Sequence, residues 1–332
     1  MKQQEMKTIK VDHLRKGMYV ILPLSWHEHP FLKGQFNIKS DAEIEKIKAL
    51  GFSKIKVDPA RYQKIEGRNA NISPVERKTA REIVPDGLLT TIQDMQLPPI
   101  RKAALVQEHS FTMMNNLLED PTAENIREAK KGISAIVQLI LKDEHTLHYL
   151  LNITSHDFYT YTHSVNVGVL AVALAKELFK NQKDHDIHAL GAGFFLHDLG
   201  KVDIVKDILN KPGKLTEEEM HDIRRHPSLG FKLLHETRQL TDESKIIVLQ
   251  HHERIDGTGY PKKLCGNEIH IYGRICAIAD VYDALTSDRP YRKKMRPFDA
   301  LKVMREEMMH HFQKDLFEQF VLLFKPPEGL PE

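Results

Sequence analysis

The sequence predicts a mainly α protein: an all-α helical bundle over residues 99–325, preceded by a small α+β N-terminal domain over residues 1–65. Three observations carry that prediction. The β-prone runs TIKV, MYVILPL and KIKV are confined to the N-terminal stretch. After Pro99 almost every segment spaces its apolar residues by three and four, the period of an amphipathic helix. Between the two, residues 66–98 mix Gly, Pro, Asn and charge with weak periodicity, which suits a linker. A chain of 332 residues is long enough to build two cores.

In chain order, TIKV and MYVILPL come first as strands. A helix is then expected from Asp41 to Leu50, with Ser40 as N-cap, apolar positions at Ala42, Ile44, Ile47 and Leu50, and Gly51 as a left-handed C-cap. KIKV follows as a strand. In the bundle, helices are expected over Leu105–Leu118, Ala123–Leu141 and Asp143–Leu151, with Pro121 separating the first two. The next ones are Phe158–Phe179, Ile187–Leu199, Glu217–Leu234, Asp242–His252, Ile275–Leu285 and Phe298–His310. No tandem repeat interrupts the pattern.

Composition excludes several classes. Lys and Arg number 48 against 46 Asp and Glu, a net charge of +2, so nothing electrostatic demands a nucleic-acid polymer. The longest apolar stretch, Val167–Ala175, stops at Lys176, far short of the roughly 20 residues that span a bilayer. No secretory signal opens the chain, and the expected location is cytoplasmic. Cys265 and Cys276 are the only cysteines, too few for a disulfide framework or a four-cysteine zinc site. Histidine is the informative count: 12 of the 19 fall between His145 and His252, where an even spread would put about six. Neutral imidazole is the commonest metal ligand and a ready proton carrier.

Three strings concentrate the chemistry. In FFLHDLGK, adjacent His197 and Asp198 point about 100° apart on a helix, a geometry that suits a carboxylate shared between two ions. Gly200 reads as the helix stop, which would place the pair in the last turn, where the macrodipole favours a cation. An isolated HD pair is more often a surface or capping pair. In HHERIDGTGYP, His251 and His252 end an apolar helical run, and a loop with Asp256, Gly257, Gly259 and Pro261 follows. An exposed helix end with a turn would explain the glycines but not the paired imidazoles. In ADVYDALTSDRPYR, Asp280 and Asp283 share a helix face, and Arg289 and Arg292 follow on a turn set by Pro290. A carboxylate for a cation and guanidiniums for an anion are thus close in sequence, although Asp283 could equally cap or pair locally. His163 and His226, taken singly, are more often core or surface histidines than ligands.

Together these strings resemble the HD-GYP family of cyclic dinucleotide phosphodiesterases, a branch of the HD phosphohydrolases. The resemblance runs from about Asp157 to Ala300. It rests on HS at 163, HDLGK at 197, KPG at 211, HP at 226, and HHE with DGTGYP from 251, in the family's order, with AIADVYDAL and RPY beyond. It implies an HD-type helical bundle with a metal centre between helices, and an N-terminal unit like the small domain that precedes some bacterial members.

The implied metal ligands are His163, His197, Asp198, His226, His251, His252 and Asp280. Seven nitrogen and carboxylate ligands suit two octahedral divalent ions, iron or manganese by family expectation, with Asp198 bridging. The resemblance makes Asp198 and Lys201 catalytic, with Lys201 beside the phosphate. It gives Lys201, Arg289, Arg292 and Tyr260 contacts with the dinucleotide, and gives the GYP loop a role in docking a diguanylate cyclase or another signalling protein. Members with three metals carry a Glu one turn before the first His; here that position is Tyr159, whose phenol, with a pKa of about 10, is a poor ligand near neutral pH.

The implied activity is metal-dependent hydrolysis of cyclic di-GMP to pGpG and onward to GMP, or of 3′,3′-cyclic GMP-AMP. The rival is a catalytically weak receptor that binds cyclic dinucleotide and signals to a partner. Such receptors tend to lose ligands, and the two-metal set is complete here. A nucleotidase of the wider HD superfamily would explain HD but not DGTGYP or RPYR.

Overall fold

The computed structural model describes residues 7–22, 35–38, 44, 47, 48, 50, 52, 54–62, 82–153, 160–209, 211, 213–288 and 293–325. The chain divides into two compact units, Met1–Arg77 and Lys78–Glu332.

The first unit is built on four antiparallel strands, β1 (Lys7–Lys10), β2 (Tyr19–Ile21), β3 (Gln35–Asn37) and β4 (Lys54–Val57), in the order β1-β4-β2-β3. Strand β4 shows the alternation that fixes register: Ile55 and Val57 are buried and Lys54 and Lys56 exposed, so a one-residue slip would put lysines in the core. That core also takes Val11, Leu14, Val20, Leu22 and Ile38, with Ile44 and Ile47 from the expected helix. Ile44 and Ile47 are helical as expected, whereas Ser40, Ala42 and Gly51 lie outside the described residues. Strand β3 was not expected, because the short run QFN lacks the apolar alternation of its partners.

The second unit is helical. It comprises α1 (Asp86–Gln93), α2 (Pro99–Glu119), α3 (Ala123–Lys142), α4 (Glu144–Asn152), α5 (Thr160–Phe179), α6 (Ile187–Phe195), α7 (Lys206–Leu209), α8 (Glu217–Ile223), α9 (His226–Glu236), α10 (Asp242–Gln250), α11 (Ile271–Thr286), α12 (Pro297–Glu307) and α13 (Lys314–Leu322). Helix α5 is buried nearly all round and packs against α2, α3, α6 and α11, while α6 packs in turn against α3 and α10. Helix α1 falls inside the stretch read as linker: its turn-rich flanks masked an apolar side that buries Leu88, and Ile83 just before it joins the same core. Helix α13 buries Leu316, Phe317 and Phe320.

Two breaks depart from the expected helices, and both matter to the site. The helix expected over Glu217–Leu234 splits at Arg224 and Arg225. Pro227 has no N–H to give to the carbonyl four residues back, so it starts a new helix rather than continuing the old one. Helix α6 stops at Phe195, so His197 and Asp198 lie beyond its last turn, before the 3₁₀ segment Leu199–Asp203. Gly200 is not the cap. A Cβ there would lie 2.1 Å from the His226 carbonyl oxygen and 2.3 Å from the Gly230 nitrogen, so the glycine lets the turn touch the backbone of α9.

Gly200→Ala is therefore expected to force two backbones apart. Overpacking of this kind costs on the order of 1–3 kcal/mol, and thermal unfolding should show a clearly lowered midpoint; an unchanged midpoint would refute the close-approach reading.

Candidate metal centre

His197, His226 and His251 reach the centre by the same local device. Each follows the end of a helix closely and donates its Nδ1–H to the carbonyl three residues before it. The contacts are His197 to Phe194 at 2.7 Å, His226 to Ile223 at 2.7 Å and His251 to Val248 at 2.9 Å. Last-turn carbonyls lack a complete set of intrahelical donors, and at Ile223 the missing donor is the one Pro227 cannot supply. With Nδ1 fixed as donor, Nε2 is the atom each ring turns inward, as a lone pair whenever the ring is neutral. Burial lowers the pKa of His226 and of His251, which favours those neutral forms.

The inward nitrogens meet Asp198, 1% exposed. Its two oxygens face different groups: Oδ2 lies 3.3 Å from His163 Nε2 and 3.4 Å from His197 Nε2, and Oδ1 lies 3.2 Å from His226 Nε2 and 3.7 Å from His251 Nε2. Asp280 also spans the two groups, with Oδ1 3.0 Å from His163 Nε2 and Oδ2 3.3 Å from His252 Nδ1. Lys201 Nζ donates to Asp198 Oδ2 at 2.5 Å. Burial works against the charge on Asp198, but Lys201 and His197 hold its pKa well below the usual carboxylate range. Asp280 is held low in the same way, its burial outweighed by His252 and His163.

Donor atoms of His163, His197 and Asp280 lie within 4.8 Å of one another, as do those of Asp198, His226, His251 and His252. All seven ligands expected from the sequence are thus brought together in two adjoining groups. The arrangement fits divalent cations. Two lone pairs, on His226 Nε2 and His251 Nε2, stand 3.0 Å apart with nothing to relieve their repulsion except a proton or a cation. Buried His197 Nε2 and Asp198 Oδ1 have no hydrogen-bond partner among the described residues. Imidazole and carboxylate donors together are the set that first-row transition ions take.

The chain matches the HD domain family over residues 145–316 and a domain of unknown function (DUF3391) over residues 6–136. Over 321 residues it is 34% identical to a cyclic di-GMP phosphodiesterase of Pseudomonas aeruginosa, covering 95% of this chain and 76% of that protein. It belongs to the HD-GYP branch of the HD domain family. A 3′3′-cGAMP-specific phosphodiesterase of Vibrio cholerae is 33% identical over 225 residues, 67% of this chain and 48% of that one. Among solved structures, an HDG"Y"P protein from Bdellovibrio bacteriovorus shares the fold, with a TM-score of 0.62 at 18% identity over 95% of this chain and 98% of that one. As an HD-GYP chain it is a hydrolase. No described helix is long and apolar enough to cross a membrane.

Tyr260 stands beside the centre, its ring 4.6 Å from that of His252, with the Arg224 guanidinium 5.6 Å from the Tyr260 ring centre. Burial pushes its phenol pKa up, so it stays neutral. Arg289, Arg292 and Tyr159 lie outside the described residues.

Sequence reasoning left two residues unassigned. Asp283, 3% exposed, accepts from His163 Nδ1 at 2.7 Å and from Asn166 Nδ2 at 2.8 Å. It fixes the His163 ring so that Nε2 faces Asp198 and Asp280, and these three carboxylates overcome the opposing effect of burial and raise the His163 pKa well above its ordinary value. The signal was present as the three-residue spacing from Asp280. Glu253, 2% exposed, accepts from the backbone N–H of Lys262 at 2.7 Å and of Leu264 at 3.0 Å, which holds the GYP loop.

Asp283→Asn keeps the shape and removes the charge that orients His163. Loss of such an outer partner is expected to weaken metal binding by roughly 10- to 100-fold, measured by competition with a chelating dye. Wild-type affinity in the variant would refute the orienting role.

Proposed function

We propose that the chain hydrolyses a 3′,5′-linked cyclic dinucleotide, cyclic di-GMP or 3′,3′-cyclic GMP-AMP, at a two-metal centre that takes iron or manganese. The observation that carries this reading is Asp198, whose two carboxylate oxygens each face a separate histidine group. It is joined by the likeness to the Pseudomonas phosphodiesterase across 95% of the chain. Asp198 would bridge the ions, with His163, His197 and Asp280 on one side and His226, His251 and His252 on the other.

When bound, the ions supply activation of water and neutralisation of charge on a phosphoryl oxygen. Hydrolysis forms one oxygen–phosphorus bond from water and breaks the P–O3′ bond; the 3′ oxygen leaves with a proton and the product is the linear dinucleotide. The chain's own residues do the rest. Lys201, its side chain 16% exposed, holds its ammonium at Asp198 and turns it to the substrate phosphate, where it offsets charge developing in the transition state. Tyr260 offers a flat neutral ring beside His252 for the nucleotide to rest on. Arg289 and Arg292 take the remaining phosphate and guanine contacts. The receptor reading has no comparable support, since every ligand of the two-ion set is present and gathered.

Asp198→Ala should abolish turnover and sharply reduce bound metal, because it removes the bridge from both ions. Lys201→Ala should keep metal and lose rate, on the order of 100-fold or more in kcat. Metal analysis beside chromatography of the products from both cyclic dinucleotides separates the two, and near-normal hydrolysis by the Asp198 variant would refute the assignment.

Two ions are expected at the catalytic centre at full loading. Tyr159 comes four residues before His163 in sequence, and a neutral phenol brings no charge to offset a third dication. Three fully occupied sites within the catalytic ligand set in anomalous diffraction from the wild type would overturn this, and Tyr159→Glu is the variant expected to recruit a third ion there.

A further inference from the structure

A second group of donors lies outside the centre described above. Asp256, in the DGTGYP loop, faces the 3₁₀ turn Met309–His311: its Oδ2 is 3.9 Å from His310 Nε2 and 3.8 Å from His311 Nε2. One donor atom from each residue lies within 4.8 Å of the other two. These separations are too long for hydrogen bonds. They lie close to the edge of a tetrahedron around an ion with ligands at 2.0–2.1 Å, which is about 3.4 Å.

The protonation states suit a cation. Arg254 Nη1 lies 3.3 Å from His311 Nε2, and a guanidinium only donates, so that nitrogen carries a lone pair. Burial, Arg254 and His310 all lower the pKa of His311, which keeps the ring neutral. Arg254 is itself exposed and free to swing into solvent when an ion takes the lone pair it now occupies. Asp256 is ionised: burial opposes its charge, but hydrogen bonds from Thr258 and the nearby histidines hold its pKa low. Its Oδ1 is engaged by the Thr258 N–H at 2.9 Å and hydroxyl at 2.7 Å, which leaves Oδ2 for a ligand.

The backbone already aligns the two segments, since Ile255 N donates to the His311 carbonyl at 3.2 Å. Little rearrangement is needed to close the three donors on one ion.

We propose that Asp256, His310 and His311 form a separate site for zinc or a similar borderline divalent ion, with its remaining positions open to water. Two imidazoles and one carboxylate select such an ion over magnesium or calcium, which prefer oxygen ligands throughout. Occupancy would tie the loop that carries Tyr260 to the turn Met309–His311, so that zinc restrains the GYP loop from outside the catalytic centre.

The test is zinc binding by the full chain, independent of catalysis. Crystals of the wild type grown with zinc should show an anomalous peak at the zinc edge between Asp256 Oδ2, His310 Nε2 and His311 Nε2. Calorimetric titration with zinc chloride should show one equivalent that weakens on the order of tenfold or more in His310→Ala, with the remaining equivalents unchanged. The His310 side chain is 61% exposed, so the variant should fold, and its metal-free melting point should match the wild type. Superimposable isotherms for the two proteins, or an anomalous map with zinc only at the catalytic ligands, would overturn the proposal. Because the peak and the lost equivalent are read without substrate, they stand or fall apart from the hydrolytic reading.

Discussion

A carboxylate buried to 1% exposure holds its charge only if cations or donors surround it, and the helical unit is arranged around meeting that demand at Asp198. Lys201 supplies one positive charge at 2.5 Å. Of the imidazoles facing its oxygens, His197, His226 and His251 donate Nδ1–H to carbonyls and present Nε2 to it, as a lone pair where the ring is neutral. A carboxylate ringed by lone pairs is electrostatically incomplete. Cations complete it, and the ends of α6, α8 and α10, where His197, His226 and His251 sit, add the partial negative charge of their terminal carbonyls to the attraction.

The fold meets this requirement in two ways. Histidines at helix ends take their orientation from backbone carbonyls three residues away, so the local chain sets the direction of the lone pair. His163 lies within α5, where the carbonyls are committed to the helix, and its orientation comes from a side chain, Asp283 on α11. That difference explains why α5 and α11 must pack together: without the contact His163 would have no fixed tautomer and Asp280 would lose the partner of its Oδ1. The same economy appears at Gly200 and Gly230, where two backbones meet without side chains and bring the HD turn within reach of His226.

Much of this was legible in the sequence. Helical periodicity marked α2 to α6, and the crowding of histidine marked the centre, because imidazoles gathered in one window call for a common use. The errors have physical causes. Gly200 was read as a helix cap because glycine commonly ends helices, yet here its missing Cβ serves a close approach and the helix has stopped five residues earlier. Pro227 announced a break that the apolar spacing of Glu217–Leu234 concealed, since both fragments keep helical periodicity. Asp283 and Glu253 were visible as residues but not as partners. Their roles depend on His163, 120 positions away from Asp283, and on loop N–H groups, and neither relation has a periodic signature.

The DGTGYP loop shows how the centre extends toward whatever it binds. Tyr260 N donates to the His252 carbonyl at 3.1 Å, and a Cβ on Gly259 would lie 2.5 Å from both the Arg254 nitrogen and the Glu253 Cα. The loop thus folds back onto His252, Glu253 and Arg254, just past the end of α10. Buried Glu253 holds its far side through two N–H groups, and a carboxylate accepting from backbone donors is costly to displace. One short stretch therefore carries two of the gathered histidines, the carboxylate that shapes the loop, and the ring beside His252. A motion of the loop cannot leave the metal side unaffected, because Tyr260 and His252 share a backbone hydrogen bond as well as a ring contact. Sequence contiguity from His251 to Pro261 is then a consequence of mechanics: the element that shapes the approach to the centre is built on the element that carries His251 and His252.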